Sequence, residues 1–146
     1  EAAAVQDIDV LFYGSLNPRR VIVLDALAAQ GLEVVTATNL YGEERDQLIA
    51  RSKVIVNIHY YESKVFEIVR VSYLLANGCA VVSETGPSSE DQDSLGEALI
   101  FAPYDGLVEA CRALVDDSGR RTALGERARK IFRTRSQSKS LERLIR

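Results

Sequence analysis

Residues 57–70 read NIHYYESKVFEIVR and gather the chain's one histidine, His59, with Tyr60, Tyr61, Glu62, Lys64 and Glu67 between apolar stretches. An imidazole there can be a ligand or a satisfied structural group. The two phenols can stack on a base or simply pack. Glu67, early in the helix expected to follow, can accept paired hydroxyls such as those of a ribose; it can equally serve the helix dipole or pair with Arg70. A second cluster, GSLNPRR at 14–20, supplies Gly14, Ser15, Asn17, Arg19 and Arg20. Backbone N–H groups at a helix start favour an anion, and arginine adds paired donors suited to phosphate. Two readings follow: a diphosphate cradle, or a helix cap with solvated arginines. Basic residues in a first turn oppose the dipole, which argues for an anion to offset them. Glu84, closing the apolar run CAVVSE, is placed to face the same crevice.

These groups need elements to position them. IDVLFYG (8–14) reads as a buried strand ended by glycine. A helix follows, with Asn17 as cap, Pro18 at its first position and Gly31 at its stop; Val21, Leu24, Leu27 and Ala28 recur at helical spacing. LEVVTAT (32–38) is the second strand, GEERDQLIARS (42–52) a short helix, and KVIVNIH (53–59) the third strand. SKVFEIVRVSYLLANG (63–78) reads as a helix with Val65, Phe66, Val69, Tyr73 and Leu74 inward and Asn77-Gly78 at its end. CAVVSE (79–84) and ALIFAPY (98–104) are the last strands. Helices are expected over 105–117 and 119–136, with a turn or two beyond, so that 119–146 forms a C-terminal helical tail.

Strand–helix alternation with nearly continuous apolar strands implies an α/β, three-layer, Rossmann-like domain: a five-stranded parallel sheet covered on both faces. The order 2-1-3-4-5 is favoured, with 3-2-1-4-5 as the alternative. Ligands in such sheets lie outside the carboxyl ends of the strands, where the order reverses. For 2-1-3-4-5 that point falls between strands one and three, and the loops there are the two clusters above.

Composition narrows the rest. The 146 residues suit one domain, with 47% hydrophobic and 27% charged residues. A net charge of -3 disfavours a nucleic-acid role despite the basic stretch RRTALGERARKIFRTRSQSK. No run approaches the roughly 20 apolar residues of a membrane span, and no signal peptide opens the chain. Cys79 and Cys111 read as small buried hydrophobes. Free thiols fit a reducing compartment, so the expected location is cytoplasmic, free or peripheral to a membrane. There is no methionine, so the expectation is a domain excised from a longer protein. Dinucleotide, P-loop and serine-elbow motifs are absent. A phosphoacceptor receiver would need an aspartate near Asn57–His59 and a lysine near Pro103–Tyr104, and has neither.

The runs DVLFYGSLNPRR, SKVIVNIHYYESKVFEIVRVSYLLANGCAVVSE, FAPYDGLVEACRALVDD and RRTALGERARKIF together resemble the nucleotide-sugar-binding, C-terminal half of glycosyltransferases with the GT-B architecture, over nearly the whole chain after residue 8. The resemblance implies that Gly14, Arg19 and Arg20 meet the donor diphosphate. It implies also that His59 and Glu67 stand where a retaining branch carries Glu-x7-Glu, with histidine in place of the first acid. The donor-binding set it implies is Gly14, Ser15, Asn17, Arg19, Arg20, His59, Tyr60, Tyr61, Lys64, Glu67 and Glu84, serving a UDP-, GDP- or ADP-linked sugar without a metal. In that architecture the acceptor, and usually the catalytic base, come from a separate N-terminal domain. The isolated chain is then expected to fold but not to transfer sugar. The alternative is a non-catalytic Rossmann-like binding module.

Overall fold

Val10, Leu11 and Phe12 are wholly buried, and this run alone shows that its strand is covered on both faces. The computed structural model describes residues 5–38, 41–60, 68–85 and 96–145, without the side chains of 68–70 and 134–145. Five strands, β1 (Ile8–Tyr13), β2 (Val34–Ala37), β3 (Ser52–Asn57), β4 (Val81–Glu84) and β5 (Ile100–Ala102), form one parallel sheet in the order β2-β1-β3-β4-β5. This is the favoured order, and the fold is Rossmann-like α/β with helices on both sides. The helices are α1 (Pro18–Ala29), α2 (Gly42–Ala50), α3 (Ile68–Ala76), α4 (Leu107–Val115) and α5 (Ser118–Ile145), with one 3-10 turn at Tyr104–Gly106.

Alternation along the strands sorts the core into two layers. Val10, Phe12, Val54, Val56, Ile58 and Val82 point towards α1 and α4, where Leu24, Leu27, Cys111 and Leu114 meet them. Leu11, Ile55 and Val81 point the other way, towards Leu74 and Leu75 of α3 and Ala128 of α5.

Three sequence expectations are corrected. The last two helical pieces are one continuous helix, α5. Val21 is 36% exposed and Ala28 is exposed, whereas Arg20, Val23, Leu24 and Leu27 face inward. The inward stripe is therefore shifted by one residue, and a charged side chain occupies its first place. In α3, Val71, Leu74 and Leu75 carry the burial, while Tyr73 is half-buried and donates its hydroxyl to Asp46 at 2.5 Å. Val65 and Phe66 lie outside the described residues, and the Val69 side chain does too.

The stops are local chemistry. α3 ends with Cys79 N–H donating to Leu74 O and Gly78 N–H to Leu75 O, with Gly78 at φ 72°. This is a Schellman turn, and its left-handed residue favours glycine. α5 crosses close above it: a Cβ on Gly125 would lie 2.2 Å from Gly78 O. Arg129 of the same helix donates to Asn77 O at 3.1 Å. Both cysteines are free, and burial pushes each thiol up to about 12.

Candidate functional site

The loops after β1, β3 and β4 converge at the carboxyl edge of the sheet. Asn17 shows how the first two are joined. Its Oδ1 accepts from Arg20 N–H at 2.9 Å and caps α1, while its Nδ2 donates to Tyr60 O at 2.6 Å. Pro18 follows at the first helical position and brings no N–H. Gly14, at φ 146°, turns the chain from β1 into this cap, and Ser15 and Leu16 stand exposed beside it.

The two arginines go inward. Arg20 is 2% exposed. It donates from Nε to Ile58 O at 2.9 Å and from Nη1 to Ser15 O at 2.6 Å, and its guanidinium lies over the rings of Phe12 and Tyr60 at 4.9 and 5.2 Å. Arg19 forks onto Glu84, with Nη1 at 2.5 Å from Oε1 and Nη2 paired with Oε2, and also donates to His59 O at 3.0 Å. Its guanidinium rests 4.1 Å from the centre of the Tyr104 ring, and the Tyr104 hydroxyl donates to Arg19 O at 2.6 Å. Of the two sequence readings, the helix cap with solvated arginines does not hold, since a buried carboxylate, backbone carbonyls and aromatic faces receive both guanidinium groups.

Glu84 is wholly buried. Burial by itself would raise its pKa, but the Arg19 hydrogen bonds, the His59 backbone N–H at 3.1 Å and the Arg19 charge outweigh it and hold the carboxyl below its ordinary value. His59 is 1% exposed, with Nε2 at 3.3 Å from Thr85 O. Asn57 Nδ2 donates to Ser83 Oγ at 3.0 Å, and Ser83 Oγ donates to Glu84 O at 3.1 Å.

Of the donor-binding set, Gly14, Ser15, Asn17, Arg19, Arg20, His59, Tyr60 and Glu84 lie together at the switch point between β1 and β3. Tyr61, Lys64 and Glu67 lie outside the described residues. The sequence reading missed Asn57, Ser83, Thr85 and Tyr104. Tyr104 had a readable signal, since it is an aromatic residue just past the last strand, at the carboxyl edge of the sheet. Asn57 and Ser83 had another, as polar residues directly after the apolar runs Val54–Val56 and Ala80–Val82.

The opposite edge of the sheet holds a cavity of about 580 Å³, lined in part by Asp46, Lys53, Tyr73, Cys79, Arg121 and Arg129. Its arginines finish helices: Arg121 donates to Leu114 O and Val115 O at the end of α4, and Arg129 to Asn77 O after α3. Among the described residues, no three His, Cys, Asp or Glu side chains are grouped to hold a metal, and no helix is long and apolar enough to cross a membrane.

Comparison with known proteins places this geometry. The chain is similar to uncharacterized proteins of Acanthamoeba polyphaga mimivirus. One is 37% identical over 106 residues, covering 70% of this chain and 12% of the relative. A second is 35% identical over 104 residues, covering 69% and 34%. A third is 29% identical over 113 residues, covering 75% and 40%. The chain therefore spans well under half the length of these relatives. A family model described as glycosyl transferase-like matches residues 1–141, nearly the whole chain: the chain belongs to the glycosyl transferase-like family.

Proposed function

We propose that the domain binds the nucleotide-sugar donor of a glycosyl transfer, as the C-terminal half of a GT-B architecture. One observation carries the reading. Arg19 alone touches groups from the ends of β3, β4 and β5, so the carboxyl ends of three strands at the expected ligand edge are tied together before any ligand arrives. Such preorganisation is what a site that stabilises a developing diphosphate charge requires. The turn at Gly14, with Ser15 and Leu16 exposed, would face the diphosphate, and Tyr60, 37% exposed, would offer its ring to the base. Arg20 would act behind them as a source of positive potential, and Arg19, neutralised by Glu84, would hold the strand ends together rather than grip phosphate oxygens. The acceptor and the catalytic base would come from another domain, and this domain alone would not turn over.

Calorimetric titration with UDP, GDP and ADP and their nucleosides tests the proposal. One diphosphate should bind clearly more tightly than its nucleoside. Tyr60→Ala should weaken both alike, by about 1–3 kcal/mol if the ring stacks on the base. Absence of binding by all three diphosphates would favour the non-catalytic module, and turnover by the isolated chain would refute the need for a second domain.

A further inference from the structure

The amino edge of the sheet carries chemistry of its own. The cavity of about 580 Å³ there has the size of a small-molecule site. Three cations line it: Lys53, near the start of β3, and Arg121 and Arg129 of α5. The chain as a whole has a net charge of -3, so this concentration runs against its composition. One carboxylate, Asp46 of α2, lines the cavity with them. Its Oδ1 is taken by the Tyr73 hydroxyl at 2.5 Å and by Arg45 Nε at 3.3 Å. Cys79 adds no second negative charge, because burial holds its thiol protonated.

The cations keep donors in hand. Arg121 spends Nη1 on the carbonyls of Leu114 and Val115, and Arg129 spends Nη2 on Asn77 O at 3.1 Å. Among the described residues, the other nitrogens of these two guanidinium groups meet no acceptor. Lys53 Nζ donates to Asp9 Oδ1 at 2.9 Å and has two further N–H bonds to give. Asp9 thus balances one cation from outside the lining, and Arg45 balances Asp46. Two positive charges are left facing the cavity.

This pattern constrains a ligand. Capping helix ends accounts for one nitrogen of each guanidinium, and what remains is a set of donors suited to a phosphate. Ser118 and Thr122, one turn apart at the start of α5, add hydroxyls, and the positive end of the α5 dipole lies here too. α2 supplies an acceptor instead: Asp46 Oδ2, unlike Oδ1, has no partner among the described residues and can receive an O–H. A cation would be repelled, and a neutral ligand would leave the two charges unmatched. A phosphate at one end and hydroxyls at the other meet both halves of the lining.

We propose that this cavity is a second small-molecule site, taking a phosphate monoester of a small polyhydroxylated molecule, with the phosphate on Arg121, Arg129 and Lys53 and a hydroxyl on Asp46. It lies at the opposite end of β3 from the switch-point loops and stands independently of the donor reading.

The probes are inorganic phosphate, ribose 5-phosphate and ribose, at low salt. In calorimetry, ribose 5-phosphate should bind, inorganic phosphate should bind about tenfold more weakly for want of the hydroxyl contact, and ribose should not bind measurably. In amide spectra of 15N-labelled protein, ribose 5-phosphate should move the signals of residues 77–79 and 118–122 and leave those of 14–17 and 57–60 in place. Arg129 is exposed, so Arg129→Gln should melt as the parent does. It should weaken ribose 5-phosphate by about tenfold or more, the worth of a charged hydrogen bond, and Arg129→Lys should lose less. Lys53→Gln repeats the test from β3, should the change in α5 disturb folding. Equal affinity for inorganic phosphate and ribose 5-phosphate would overturn the polyhydroxylated ester as ligand. Shifts confined to 14–17 and 57–60 would place the phosphate at the carboxyl edge and overturn the site. Failure of both phosphates to bind, or undiminished binding in both Arg129→Gln and Lys53→Gln, would overturn it too and leave the arginines as helix caps alone.

Discussion

Arg19 and Glu84 form an ion pair whose acid is wholly buried and whose base is 16% exposed. Truncating one partner strands the other in a low-dielectric interior, so Arg19→Ala should destabilise the fold by about 3 kcal/mol, measured by urea unfolding. Reasoning from the sequence, in which a first-turn arginine opposes its own helix, gives the opposite sign: a neutral or slightly stabilising change. The difference arises because the partner lies 65 residues away. Acid should act through the same pair. The folded Glu84 carboxyl is held below its ordinary value of 4.5. Its contribution to stability is therefore full above the unfolded value and is lost as pH falls through the lower folded one. A Glu84→Gln variant should be less stable at neutral pH and should lack that part of the acid loss. Parallel pH curves for the two proteins would show that Glu84 is not the titrating group.

The elements were mostly legible because their signals are local. Asn17 before Pro18, Asn77-Gly78 after α3, and the β-branched β3 each act within a few residues. The phase of α1 was not legible, since nothing nearby shows that Arg20 turns inward to reach the carbonyl of Ile58, 38 residues on. Nor was the closeness of α5 to the α3 turn. Gly125 reads as a weak point in a helix, where alanine would normally stabilise by about 1 kcal/mol. Here the added methyl would meet the carbonyl of Gly78 at 2.2 Å, so Gly125→Ala should destabilise by more than about 1 kcal/mol. Gly119 in the same helix would meet only Asp117 Oδ1 at 3.7 Å. Gly119→Ala should be neutral or stabilising, and thermal melts showing the same sign for both would contradict the packing account.

On the scale of the whole molecule, the sheet order could be derived, because alternation of strands and helices leaves few topologies. The composition of the edge could be derived only as a list. Which side chains face the crevice, which stand behind it and which fill the core depends on contacts between distant segments. The charges then fall into a pattern with a physical logic. At the amino edge, where helices end, Arg121 and Arg129 donate to terminal carbonyls. At the carboxyl edge, where helices begin, the arginines are instead neutralised or shared by loops. A cavity of about 580 Å³ at the amino edge is thus the space around a set of helix ends.

The long reach of Arg19 also has a kinetic meaning. It bonds to groups 40, 65 and 85 residues away in sequence. Each span must close, at an entropic cost, before the guanidinium finds all its partners. Those contacts should therefore form after the rate-limiting barrier has been crossed. In Arg19→Ala the lost stability should appear as unfolding about a hundredfold faster, with the refolding rate changed less than about threefold in stopped-flow chevrons. Slowed refolding would instead put the arginine in the folding nucleus, and the carboxyl edge of the sheet would then be among the first parts of the protein to take shape.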